Sequence, residues 1–130
     1  MSTLKVNTLE EATTGGATFY TAKAWVNIDA RTTLSITASG NVSSVTDNSV
    51  GNYTINFDNT LSTAAYAPNG FGVGYSSTSL AKHATVTLDP SGAGTTVAKT
   101  KTTSAVRILT GNSADGVVYD AGNTSLAVVA

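Results

Sequence analysis

The strongest constraint on this 130-residue chain is a period of two. Residues 52–58, Asn-Tyr-Thr-Ile-Asn-Phe-Asp, put Tyr53, Ile55 and Phe57 on one side of an extended strand and Asn52, Thr54, Asn56 and Asp58 on the other. A helix would scatter the same residues around its circumference, because its faces repeat every 3.6 residues. The alternation recurs in residues 22–29, where Ala24, Val26 and Ile28 are apolar and Lys23, Asn27 and Asp29 polar, with Trp25 as the exception. Leu34, Ile36 and Ala38 continue it in residues 32–38, as do Ala84, Val86 and Leu88, then Val106 and Ile108. No window of eleven residues sustains a helical period.

Turn chemistry orders these strands. Asp29-Ala30-Arg31 is short and polar enough for a tight reversal, so the first two strands are expected to form a hairpin. A second hairpin is expected to join residues 42–47 to 52–58 through Asn48-Ser49-Val50-Gly51. Val42 and Val45 differ in parity, so a bulge near Ser43-Ser44 is needed to turn both inward. Residues 59–69 read as a loop. Beyond them Phe71, Val73 and Tyr75 read as core residues alternating with glycines, which leave a bare face for a neighbouring sheet or ring. Asp89-Pro90-Ser91-Gly92 is a turn, residues 97–103 a hydrophilic strand or extended loop, and residues 104–109 a firmer strand. Residues 116–120 and 125–129 are expected to close the chain as a last hairpin. The fold class is therefore all-β, an antiparallel β-sandwich or open barrel of about eight or nine short strands. Residues 1–18 show no core face and read as an extended N-terminal arm for assembly or attachment, followed by one β-domain over residues 19–130.

Composition removes several classes of function. Cysteine is absent, so disulfides and cysteine-based zinc sites are excluded. Net charge is −1 without a basic stripe, which speaks against nucleic acid, and no apolar run is long enough to be inserted into a membrane as a helix. Only 12% of residues are charged, against about 25% in ordinary soluble proteins. Their place is taken by 23 Thr, 14 Ser and 10 Asn, a surface that hydrogen-bonds rather than ionises and is suited to assembly.

The residue types that carry chemistry are thinly spread. The single histidine, His83, lies in a polar stretch without a nucleophile elbow, and reads as a structural or surface residue. Glycoside hydrolysis needs two carboxyl groups facing each other across the bond, but most of the Asp residues flank turns, where Asp bonds its own backbone. No Asp-rich loop has the regular ligand spacing of a calcium site, although Asp115 and Asp120 could ligate an ion across the last hairpin. The expectation is a protein with no catalytic residues, no metal and no cofactor. Trp25 is the informative residue, since its parity sets it opposite Val26 and Ile28, and a simple one-core sheet would leave it in water. Three environments would account for it: the arm or another subunit, the domain's own second layer, or a sugar-stacking platform shared with Tyr66 or Tyr75.

Three stretches carry a resemblance. Lys23-Ala24-Trp25-Val26-Asn27-Ile28, then Gly40 to Asn48 running into Gly51-Asn52-Tyr53-Thr54-Ile55-Asn56-Phe57, and last Val106-Arg107-Ile108-Leu109-Thr110, resemble a β-domain of bacteriophage tail fibres. Leu4-Lys5-Val6-Asn7-Thr8-Leu9 is similar to the start of many marine-phage structural proteins. The chain departs from the family's pattern at residues 28–31, where a glycine-rich turn is usual, and at its end, where an aromatic residue is common. The resemblance implies a virion component, a trimeric fibre, knob or capsid decoration docked on other phage structural proteins. A second implied role is a receptor-binding tip that meets host-surface polysaccharide.

Overall fold

The computed structural model describes residues 22–73, 83–88, 101–112 and 118–129. The arm of residues 1–18, Tyr75, Asp115 and the turn at residues 89–92 lie outside the described residues. Eight strands are present: β1 (Ala22–Asp29), β2 (Ser35–Gly40), β3 (Val42–Ser49), β4 (Asn52–Phe57), β5 (Ala67–Val73), β6 (His83–Leu88), β7 (Ala105–Asn112) and β8 (Asn123–Val129). All pairings are antiparallel and run in the order β2-β1-β8-β5-β6-β7-β4-β3. Among the described residues there is no helix.

This ribbon folds over on itself into two layers, because each strand has one apolar side to hide. Ala24, Val26 and Ile28 of β1 and Leu126 and Val128 of β8 share one buried cluster with Tyr53, Ile55 and Phe57 of β4 and Val106 and Ile108 of β7. Layer β2-β1-β8-β5 thus faces layer β6-β7-β4-β3, and the seam between them is the three-residue pairing of Phe71, Gly72 and Val73 with Thr85, Ala84 and His83. The end strands β2 and β3 do not pair, so the result is an antiparallel sandwich rather than a closed barrel.

Both expected hairpins form. The ladder slips between Val42 and Ser44, and both Val42 and Val45 pack against the core, as their parity demanded. Gly51 closes the second hairpin at φ 65°, a conformation that strains any residue with a Cβ. A Cβ there would also lie 2.6 Å from the Thr110 carbonyl oxygen. Asn41 takes the corner between β2 and β3 at φ 54°. Its amide donates to the carbonyls of Lys23 (2.9 Å) and Asn59 (3.1 Å) and accepts from the Asn59 N–H (2.7 Å), which fastens one layer to the other.

Four sequence-based expectations need correction. The last hairpin does not exist: β8 inserts between β1 and β5, and Val118 bridges Gly111 instead. Parity tells which way a strand faces, but not which strand lies beside it. The loop at residues 59–69 is shorter than expected, because β5 begins at Ala67 and carries Pro68. Among the described residues that part of β5 has a neighbour on one side only, where a strand tolerates a residue without an N–H. The second strand starts at Ser35 rather than residue 32, and its apolar side is not in the core. Ile36 is 39% exposed, and of that side only Leu34, just ahead of the strand, packs against the cluster. Finally, Phe71 is 69% exposed rather than buried. At the seam the layers converge, and the inward side of β5 carries Pro68, Gly70 and Gly72, which fit where a ring would not.

Candidate functional site

The two outer faces of the sandwich both carry Asn and Ser but are finished differently. On β3-β4-β7 the polar side chains bond one another across the strands. Asn56 Nδ2 donates to Ser44 Oγ (3.0 Å) and Thr46 Oγ1 (3.1 Å), and Asn48 Nδ2 donates to Thr54 Oγ1 (2.9 Å). Asn52 Oδ1 accepts from Arg107 Nε (2.9 Å) and Asn48 Nδ2 (3.2 Å). This face is closed on itself.

On β1-β8-β5 two cross-strand rows define a small grid. Trp25, Ala127 and Asn69 form one row and Asn27, Ser125 and Phe71 the next. The aromatic residues therefore occupy opposite corners, the amides the other two, and small side chains the middle. Strand spacing sets the grid about 10 Å across. These residues line a shallow groove of about 240 Å³. Among the described residues the side chains of Asn27, Asn69 and Ser125 have no hydrogen-bond partner, so their bonding capacity faces the groove unused.

Trp25 is fixed from beneath. Its neighbour across the ladder is Gly40, and the pyrrole side of the indole rests there: a Cβ on Gly40 would clash with Nε1 and lie 3.0 Å from Cδ1 and Cε2. The glycine that an aromatic ring requires is thus Gly40. The indole remains 41% exposed. Of the three environments that would account for Trp25, the domain's own second layer is removed, because the side chain projects away from it.

Tyr66 is no part of this site. It is buried, with its ring edge-on to Phe57 at 6.0 Å and its hydroxyl within 3.1 Å of the Thr102 carbonyl and 3.0 Å of the Ala105 carbonyl. Lys101 caps it from outside, donating to the Tyr66 carbonyl at 2.9 Å with Nζ 5.3 Å from the ring centre. Burial raises its hydroxyl pKa to about 12. The loop reading failed because aromatic residues in loops look alike in sequence whether they cover a core or leave it. Phe71 takes the place expected of Tyr66, and Asn27, Asn69 and Ser125 join it. The signal for Phe71 was the run of Pro and Gly on the opposite parity, which marks the inward side as bare.

The charged residues have structural tasks. Asp120 Oδ1 accepts from the Gly51 N–H and from the Tyr53 hydroxyl, both at 2.7 Å, and so clamps the β3-β4 turn. Burial first, and then this bond, raise the Tyr53 pKa. Asp29 accepts from the Arg31 N–H at 3.1 Å and pairs with its guanidinium; these hydrogen bonds lower the Asp29 pKa. Asp29 plays the turn role expected of Asp, bonding the backbone two residues on, whereas Asp120 secures a turn 69 positions away in the chain. His83 opens β6 opposite Val73. Among the described residues no three of His, Cys, Asp or Glu cluster, and no helix is long and apolar enough to cross a membrane. Comparison with protein-family models, curated proteins and solved structures finds no match to this chain.

Proposed function

We propose that this chain is a non-enzymatic structural component of a phage virion, a fibre, knob or surface decoration that assembles as a homotrimer on a larger particle protein. The observation that carries the reading is the β2 edge. Among the described residues Ser35-Ile36-Thr37-Ala38-Ser39-Gly40 ends the sheet with a single register slip at Thr37, but with no charged residue and no proline, and with Ile36 exposed. A protein that works alone usually protects such an edge with charged residues or proline as well, because an unpaired backbone invites another strand. The opposite end, β3, is dissimilar: it slips register twice and carries Asp47. A threefold ring needs a head-to-tail contact between unlike surfaces, which two unlike sheet ends supply. The sequence resemblance supplies the phage context, and the virion location of the protein rests on it.

Mass in solution and particle composition test this. The purified protein is expected to sediment as a trimer, Ile36→Lys as a monomer that keeps its β spectrum, and peptides of the chain are expected in purified particles. A wild-type monomer at all concentrations, or absence from particles, overturns the reading. A second role, a receptor-binding tip, is favoured by the open groove between Trp25 and Phe71, which the β2 edge does not need.

A further inference from the structure

The geometry points to a saccharide subsite in the groove between Trp25 and Phe71, shaped for one neutral pyranose ring. It rests on the receptor-binding role of a particle-surface protein and names what that role would grip.

Three features of the groove select this ligand class. The first is the pairing of two exposed rings, 41% and 69% accessible, on a sheet face otherwise made of small and polar residues. A pyranose has an apolar C–H face that packs on an aromatic ring and a rim of hydroxyls that does not. The second is the unused capacity of Asn27, Asn69 and Ser125. An amide offers a donor and an acceptor side by side, and a hydroxyl offers both in one atom, so together they match vicinal sugar hydroxyls. The third is the absence of charge from the lining, which holds Trp25, Asn27, Asn69, Phe71, Ser125 and Ala127 beside the buried Leu126. A sialate, uronate or phosphate would meet no cation there, so the ligand is neutral.

The same features disfavour the other occupants. An apolar partner surface, including the Ile36 side of a second copy, would bury three polar side chains without partners, at about 1–3 kcal/mol for each. A nucleotide would stack on the rings, but among the described residues that line the groove its phosphate would find no positive group. Gly40 adds preorganisation: by supporting the indole it holds Trp25 in one position before the ligand arrives. The volume of about 240 Å³ holds one ring, so a longer glycan would pass over the groove and be gripped at a single residue.

Because the chain has one tryptophan, the site carries its own reporter. The full-length protein is titrated with the methyl glycosides of glucose, galactose, mannose and N-acetylglucosamine, with glucuronic acid and sialic acid as charged controls, while Trp25 fluorescence and saturation-transfer NMR are recorded. At least one neutral glycoside is expected to shift the emission and receive saturation, and the acids are expected to do neither. Phe71→Ala and Asn69→Ala, both at exposed positions, are each expected to weaken binding about tenfold, the loss of one aromatic or polar contact. Val50→Ala, exposed at the far turn, is expected to bind as the wild type does. Silence with all four neutral glycosides, preference for the acids, or binding unchanged in both groove variants overturns the subsite. An emission typical of a buried indole in the native assembly also overturns it, by showing the face covered, while leaving the trimeric virion reading intact. Saccharide binding by a monomer absent from particles does the reverse.

Discussion

The outer face of β3-β4-β7 and that of β1-β8-β5 show how two sheet faces come to differ in use. Both carry Asn and Ser, the first with Thr beside them and the second with two aromatic rings. On the first, Asn48, Asn52 and Asn56 spend their amides on neighbours one strand away. On the second, small residues separate Asn27 from Phe71 and Asn69 from Trp25, so the amides stand beyond one another's reach. A polar group counts toward stability when it is bonded within the fold and toward recognition when it is left over. The comparison teaches that the spacing of amides across strands, and not their number, separates a closed face from an open one.

The comparison can be broken most severely at Asp120. Replacing it by alanine removes the acceptor of both the Gly51 N–H and the Tyr53 hydroxyl, and is expected to cost about 3 kcal/mol in denaturant unfolding, with the closed layer the first to lose hydrogen-exchange protection. A loss below 1 kcal/mol would show that the clamp is dispensable.

Next in size is a matched pair. Asn52→Ala takes away the acceptor used by Arg107 and Asn48 and is expected to cost about 2 kcal/mol, while Asn27→Ala is expected to change stability by less than about 0.5 kcal/mol. Equal costs would erase the distinction between the faces.

Gly40→Ala comes third. The added methyl displaces the indole, for about 1 kcal/mol and a red shift of the single-tryptophan emission. Unchanged emission would mean that the indole does not rest there.

The last effect is confined to alkaline pH and absent at neutrality. Tyr66 in the folded chain ionises near 12, against about 10 for a free tyrosine. A raised pKa gives a contribution that is full below the unfolded value and is lost as pH rises toward the folded one. Stability is therefore expected to fall between about 10 and 12. Absorbance titration checks this, with Tyr53 and Tyr66 ionising above the value of a free tyrosine; ionisation of all five tyrosines together at about 10 would contradict it.

Much of the fold was legible from local pattern. The inward residues of β1, β4 and β7, both early hairpins and the bulge beside Ser43 follow from parity and turn residues, which act over a few positions. The outward placement of Trp25 was legible in the same way. The groove was not, because it needs β1, β8 and β5 side by side, and they are joined through contacts between residues about a hundred positions apart for β1 with β8 and more than fifty for β5 with β8.

What the sequence by itself determined is which side of most strands is apolar, where the chain reverses, and that its surface is hydrogen-bonding rather than ionic. Those properties arise from the two-residue repeat of the strand and from side chains acting on their own backbone. Only the tertiary structure decided that β8 lies between β1 and β5, that Phe71 points outward at the seam while Tyr66 is sealed beneath Lys101, and that three polar side chains keep their bonding capacity beside two aromatic rings. Strand neighbours are chosen by the burial of the whole core at once, and no local stretch of sequence carries that sum.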